Sequence, residues 1–577
     1  MNRLLVIGLD GATLDLIRPW AEQGHLPHLA QLIAEGTHGP LESTLPPVTS
    51  PAWPSFVTGK NPGRHGVFDF IRPRAGKFDM VNASQIDGRM VWEYLSDAGL
   101  TCGVLNVPIT YPPRQVNGYL VPGLLSPDQG KTTCPPDFLK SYEAELGPYR
   151  LTPRVQFKAG NEAEFIADLA DLIETQARYA LRLMRDHPTD FTMVHFLATD
   201  ICQHALWKHQ DPTHPAHDPA QAKRFGNAIR DVYARLDAVV GQMMALAPDA
   251  TVMVMSDHGF GPLHRIVNLN MLFLEAGLLA LKQTPWVRVR AWAFKRGFTP
   301  AAVWKIVERI GLQNMVWRVS KKARNEVVNR FLGFEDVDWT RTLAYSMGHV
   351  GQVYLNLQGR EPQGIVEPGD YMAVRQRVID VLSNIGKYVG ADLRVGPLRA
   401  GPLRAGPLRA GPLRVGPQGA HAGAPQPSLL SVDRIIPREQ AASGAYLDRA
   451  PDLHLILDGY RTIAFPLFAT DGKIITRQIR GDSGCHRLHG VFIARGPGIA
   501  HGEISNARII DLAPTILHLM HVPVPDDMDG RVLTEALVTQ RPVEMQAAVH
   551  ASHAQEDLTA EEAAEVEERL RALGYLG

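Results

Sequence analysis

Short, unbroken apolar runs recur along the chain, each closed by glycine or a polar turn. Leu4-Leu5-Val6-Ile7-Gly8-Leu9 is the first. Thr101 to Val107, Phe191 to Leu197, Thr251 to Ser256 and Val491 to Ala494 are of the same kind. Such runs predict strands buried on both faces, as in a parallel sheet. Between them, Leu14 to Glu35, Phe165 to Arg185 and Phe225 to Leu246 carry apolar residues at helical spacing. The alternation predicts an α/β sandwich with a mainly parallel central sheet flanked by helices.

Two segments interrupt that pattern. Residues 265–393 are expected to form an inserted helical cap or substrate region. Within it, 282–330 holds twelve Lys and Arg against Glu308 and Glu326, a net of +10, interleaved with Trp286, Trp292, Trp304 and Trp317. That mixture suits either a cap whose charges are solvated, or a peripheral membrane contact or polyanion-binding element. Residues 394–428 contain Gly-Pro-Leu-Arg-Ala repeated with period five from Gly396 to Val415. The prolines forbid a regular helix and one Leu per repeat builds no core, so a linker is expected. The catalytic core then falls in two parts, 1–264 and 429–535, followed by a tail, 536–577. In the tail Thr559-x-x-Glu562 reads as a capping box. It opens a helix that docks through Val566, Leu570 and Leu573 and ends at Gly574.

Composition narrows the class. A chain of 577 residues, 45% hydrophobic with formal net charge −1, can bury a large core and has no global bias toward nucleic acid. Four cysteines do not make a disulfide framework, which favours a reducing compartment. Asp10 cuts the N-terminal apolar run, and no run approaches the roughly 18 residues of a membrane span. The expected location is the cytoplasm.

The chemistry gathers where the apolar runs stop. Asp10-Gly11 closes the first run, and Asp257-His258 closes Thr251 to Ser256 ahead of Gly259-Phe260-Gly261. Asp200 and His204, four apart after Phe191 to Leu197, share one face of a helical turn. His486 stands in Ser483-Gly484-Cys485-His486, just before Val491 to Ala494. Three Asp and three His beside strand ends are a mixed O/N ligand set for zinc or manganese, enough for two ions. His195 reads as a hydrogen-bonded core residue, and Cys202 and Cys485 as buried packing residues. Thr49 and Ser50 precede Pro51 at the start of a short helix. Either could be an N-cap or a nucleophilic hydroxyl activated by a metal. Pro51 suits the first helical position, whereas Pro54 should distort the helix or delay its start. Arg360, in a turn after Val353-Tyr354-Leu355, could clamp a phosphate or form a salt bridge.

The order Gly8-Leu9-Asp10-Gly11, Thr49-Ser50-Pro51, Asp200-x-x-x-His204, Ser256-Asp257-His258-Gly259 and Gly484-x-His486 resembles the alkaline phosphatase superfamily. Within it the chain is most similar to the type I phosphodiesterase/nucleotide pyrophosphatase family. The resemblance implies one ion on Asp10, Thr49, Asp257 and His258 and another on Asp200, His204 and His486. Both would be divalent, Zn with Mn or Fe as alternatives. It implies Thr49 as the nucleophile of a phospho-threonine intermediate, and a small phosphorylated substrate cleaved at a phosphodiester or pyrophosphate bond, with monoesters also allowed. Two departures stand out. Nucleotide pyrophosphatases usually carry an Asn about twenty residues past the nucleophile; here Gly66-Val67-Phe68-Asp69-Phe70 offers Asp69. No Arg follows Thr49-Ser50-Pro51 as a sulfatase would need. The alternatives are a phosphotransferase or phosphomutase on the same scaffold, or a membrane-surface binding protein using 282–330.

Overall fold

The computed structural model describes the chain except residues 1–2, 75–76, 129, 297–308, 310–332, 349, 390–429, 467, 469–472, 478–481, 540, 550–555 and 574–577. The repeat at 396–415, Gly574 and most of 282–330 lie outside the described residues.

The apolar runs form the centre of one large sheet. Its strands lie in the order Gly502–Glu503, Thr37–Glu42, His489–Arg495, Thr251–Met255, Leu4–Leu9, Phe191–Phe196, Cys102–Leu105 and Gly118–Val121. The five from Thr251–Met255 to Gly118–Val121 are mutually parallel, and His489–Arg495 runs against them. Leu4–Leu9 is buried along its whole length, as a strand covered on both faces must be. In register, Gly8 lies between His195 and Met255. The three central strands therefore end together, and the residues that follow them meet at one edge.

Flanking helices follow the helical spacing, with breaks at turn residues. Leu14 to Glu35 divides into Leu14–Glu22 and Pro27–Glu35. Gly24 adopts φ +80 between them and Pro27 starts the second, the usual asymmetry of helix ends. Glu162–Asp186 is one long amphipathic helix. Phe225 to Leu246 spans the end of Pro219–Phe225 and all of Ala228–Leu246.

The region read as a helical cap also contributes strands. A second sheet joins Ala344–Ser346, Gln352–Leu355, Leu453–Leu457, Thr462–Phe465, Arg265–Asn268 and Ile475–Arg477, with Val432–Pro437 on Leu453–Leu457. Residues before and after 394–428 thus build one sheet. Strands of three or four residues carry too little periodicity to announce their partners. At the C-terminus Ala560–Leu573 is helical. Thr559 Oγ1 accepts from the Glu562 amide (3.2 Å) and Glu562 Oε2 from the Thr559 amide (2.8 Å), while Val566 and Leu570 are buried.

Candidate active site

Asp10 leaves the Leu4–Leu9 strand with its amide bonded to the Phe196 carbonyl (3.0 Å). Asp257 and His258 follow Thr251–Met255 after the single residue Ser256. Asp200 and His204 lie on the helix Ala198–Gln210, which begins just after Phe196. His486 arrives on a separate hairpin: Gly484–Arg487 pairs antiparallel with Gly259–Pro262, setting His486 opposite Phe260. Its ring stacks on that of His258, centroids 3.7 Å apart.

These residues form two overlapping groups. The ligand atoms of Asp10, Asp257 and His258 lie within 4.8 Å of one another, and so do those of Asp200, His258 and His486. His204 joins the second, its Nε2 2.9 Å from His486 Nε2 and 3.5 Å from Asp200 Oδ1. Each imidazole has its other nitrogen at a backbone carbonyl: His204 Nδ1 at Gly484 O (3.1 Å), His258 Nδ1 at Gly259 O (3.1 Å) and His486 Nδ1 at Pro47 O (2.9 Å). A carbonyl only accepts, so in the neutral rings Nδ1 carries the proton and all three Nε2 lone pairs face the cluster, the arrangement of metal-binding histidines.

The carboxylates point the same way. Asp10 Oδ1 and Asp257 Oδ2 are buried with no hydrogen-bond donor among the described residues. Burial, with Asp257 and Asp200 beside it, holds the Asp10 carboxyl well above the usual range. Burial likewise pushes Asp257 up to about 7, with the Asp200 charge adding to it. Burial also opposes ionisation of Asp200, but His204, His486 and His258 hold it below the ordinary carboxylate range. Burial pushes His258 down to about 4. Three acids and three imidazoles, all buried but the half-buried His204, are costly to pack together without a cation, and this donor set fits divalent metals.

The helix Thr49–Thr58 starts beside this cluster and is buried throughout. Its N-cap is Val48, and no side chain caps it. Thr49 and Ser50 are the first two helical residues, so neither hydroxyl serves as the cap. Pro51 sits third rather than first, and Pro54 lies inside the helix without delaying its start. Tertiary burial of every residue outweighs the amide bond that Pro54 cannot make. Thr49 Oγ1 lies 3.3 Å from His258 Nε2. Ser50 Oγ is buried with no hydrogen-bond partner among the described residues.

Asp69 and Arg360 engage the second sheet. Asp69 accepts from Gln352 Nε2 (2.5 Å) and from the Phe70 amide (2.6 Å). Arg360 sets both guanidinium arms on Asp452, 3.1 and 2.7 Å, and also pairs with Glu361. Its fork is occupied by a structural salt bridge.

Two further residues meet Asp10: His195, which the sequence marks as a hydrogen-bonded core residue, and Trp53, which it does not mark. His195 Nε2 meets Asp10 Oδ2 at 2.8 Å, and Trp53 Nε1 donates to the same oxygen at 3.3 Å. Burial pushes His195 down to about 3, so it meets Asp10 as a neutral ring. Their rings meet edge-on over Gly8, where a Cβ would stand 2.8 Å from the Trp53 ring. Gly11 is confined similarly: φ is +63, and a Cβ would fall 2.9 Å from Phe260. The one local signal for His195 was a lone imidazole inside an apolar strand.

Similar solved structures include human ectonucleotide pyrophosphatase/phosphodiesterase 5, at 14% identity over 93% of this chain and 100% of that one, TM-score 0.47. The murine protein in complex with AMP is 13% identical over 90% and 96%, TM-score 0.45. Phosphonoacetate hydrolase from Sinorhizobium meliloti 1021 in complex with phosphonoacetate is 14% identical over 89% and 94%, TM-score 0.47. No curated protein matches the chain. Residues 4–397, which carry every candidate ligand except His486, match the family model described as type I phosphodiesterase / nucleotide pyrophosphatase, and the chain belongs to that family.

Proposed function

We propose that the chain hydrolyses phosphodiester or pyrophosphate bonds by passing a phosphoryl group to Thr49 and then to water. Family membership makes it a hydrolase of phosphoester bonds. The observation that carries the finer reading is the Thr49 hydroxyl, buried, 3.3 Å from His258 Nε2, at the start of a helix that it does not cap. Two divalent cations fit the donors, one among Asp10, Thr49, Asp257 and His258, the other among Asp200, His204 and His486. Zinc suits this ligand set, with manganese or iron as alternatives. When bound, such ions lower the pKa of a hydroxyl or water and neutralise charge on phosphoryl oxygens.

The chain's residues do the positioning. Thr49 Oγ1 forms the new bond to phosphorus as the bond to the leaving group breaks. The helix beginning at Thr49 turns its positive end toward the phosphoryl oxygens. His195 and Trp53 hold Asp10 in one orientation beside the nucleophile. Water then cleaves the phospho-threonine and returns a proton to Oγ1.

A panel of diesters, pyrophosphates and monoesters assayed in oxygen-labelled water, with acid trapping and phosphopeptide mapping, tests this. Label should enter the product, and the trapped phosphate should map to Thr49. Unlabelled product with the group carried to an alcohol would make the enzyme a phosphotransferase, and phosphate on Ser50 would displace Thr49.

A further inference from the structure

The helix Pro285–Lys295 exposes the side chains that helices usually bury. Trp286 is 72% exposed, Trp292 59% and Val289 55%. Residues three apart neighbour one another on a helix, so these three make one continuous apolar strip. The helix cannot turn that strip inward, because its other side is anchored. Val287 is buried, and Arg290 pairs with the buried Asp336. Asp336 is itself held in place, its carbonyl accepting from the Lys282 amide (2.8 Å).

Along this stretch of chain the charges have one sign. Lys282, Arg288, Arg290, Lys295 and Arg296 fall between 282 and 296, and no Asp or Glu does. Arg288 and Arg296 are exposed, and the Arg296 guanidinium lies 4.9 Å from the centroid of the Trp292 ring. A solvated cap would place its tryptophans inward and its cations outward. Here both face solvent together, the composition of a helix lying in a lipid headgroup layer, where indoles sit at the boundary and cations reach phosphates.

We propose that this helix docks the protein on an anionic lipid bilayer. Trp286, Val289 and Trp292 enter the headgroup boundary, and Arg288 and Arg296 meet lipid phosphates. Charge complementarity selects this occupant. A second copy of the chain would bring like-charged strips together, and a nucleic acid would leave the aliphatic Val289 unmatched. Attraction of this kind is screened by salt and grows with the anionic lipid content.

The test uses the full chain, sedimented with vesicles of phosphatidylcholine alone or phosphatidylcholine with phosphatidylglycerol. Binding is expected only to the anionic vesicles, weakening as salt rises, with a blue shift of tryptophan emission. Trp286→Ala with Trp292→Ala should lower vesicle partitioning about tenfold or more while turnover of a soluble substrate is unchanged. Val289→Asp probes the same strip with both indoles in place and should also weaken binding. No binding to anionic vesicles would overturn the proposal, as would binding that both variants retain. Binding to heparin or RNA but not to vesicles would replace the lipid with another polyanion and equally overturn it.

Discussion

Asp10 and Asp452 are both fully buried carboxylates, and the groups around them differ in sign. Asp452, beside the second sheet, receives the fork of Arg360, lies 3.4 Å from an arm of Arg438, and accepts from Tyr371 Oη (2.9 Å) and the Leu355 amide (2.7 Å). Asp10, at the edge of the central sheet, has Asp257 and Asp200 as neighbours, and its side-chain polar contacts among the described residues are two neutral imidazoles, His195 at 2.8 Å and His258 at 3.7 Å, and the Trp53 indole. A buried charge persists only where a cation or sufficient donors meet it. The chain supplies both at Asp452, and among the described residues no cation meets Asp10. One region is therefore closed structure, and the other is built to receive a cation.

The largest expected effect breaks that contrast directly. Chelation should abolish activity and also lower thermal stability, because the strand-end carboxylates are then left facing each other. Elemental analysis of the active protein should find about two divalent ions per chain. Full activity with one ion or none would end the two-metal reading.

Next is Thr49→Ala, which should cut turnover by about a thousandfold or more, since the covalent step goes with the hydroxyl. Metal content should fall little, because Asp10, Asp257 and His258 remain. Ser50→Ala should be mild: that hydroxyl neither caps the helix nor bonds a described residue. Equal losses in the two variants would remove the distinction between the neighbours.

Arg360→Met tests the other side of the comparison. It leaves Asp452 buried with one cation fewer and should lower stability by about 3 kcal/mol, with metal content preserved. Normal stability with a raised KM would instead make Arg360 a substrate clamp.

The smallest effect is in the pH dependence of the metal-free protein. Burial in the folded state raises the Asp257 carboxyl from the ordinary 3.8 to about 7. Between those values the folded state holds a proton that the unfolded state has released, so this residue's contribution to stability falls as pH rises. Asp257→Asn does not titrate. The melting temperature of the variant relative to wild type should rise from about pH 4 to about pH 7 and then level off. A flat difference would show that Asp257 is not so perturbed.

Much of the site was legible along the chain because its determinants are local. An apolar run that stops at Asp10 or at Asp257-His258 marks a strand end. The Asp200-x-x-x-His204 spacing needs only one turn of helix to bring both side chains together. The boundaries of the helix at Thr49 were partly legible too, but its true cap, Val48, and the burial of Pro54 were not, since packing overrode local preference. Asp69 stands where the family usually carries an Asn, and for Arg360 the sequence leaves a phosphate clamp and a salt bridge both open; the structure places them on Gln352 and Asp452, partners 283 and 92 residues away, the second a salt bridge.

Local pattern along the chain sets the chemical groups and their place at strand ends, because short-range periodicity dictates where strands and helices stop. The tertiary structure decided which groups meet. It brought His486 onto His258 through a hairpin with Gly259–Pro262, set His195 and Trp53 on Asp10, and assembled the second sheet from both sides of 394–428. Those pairings depend on long-range register and on where buried charges find counterions, and neither leaves a mark at a fixed spacing along the chain.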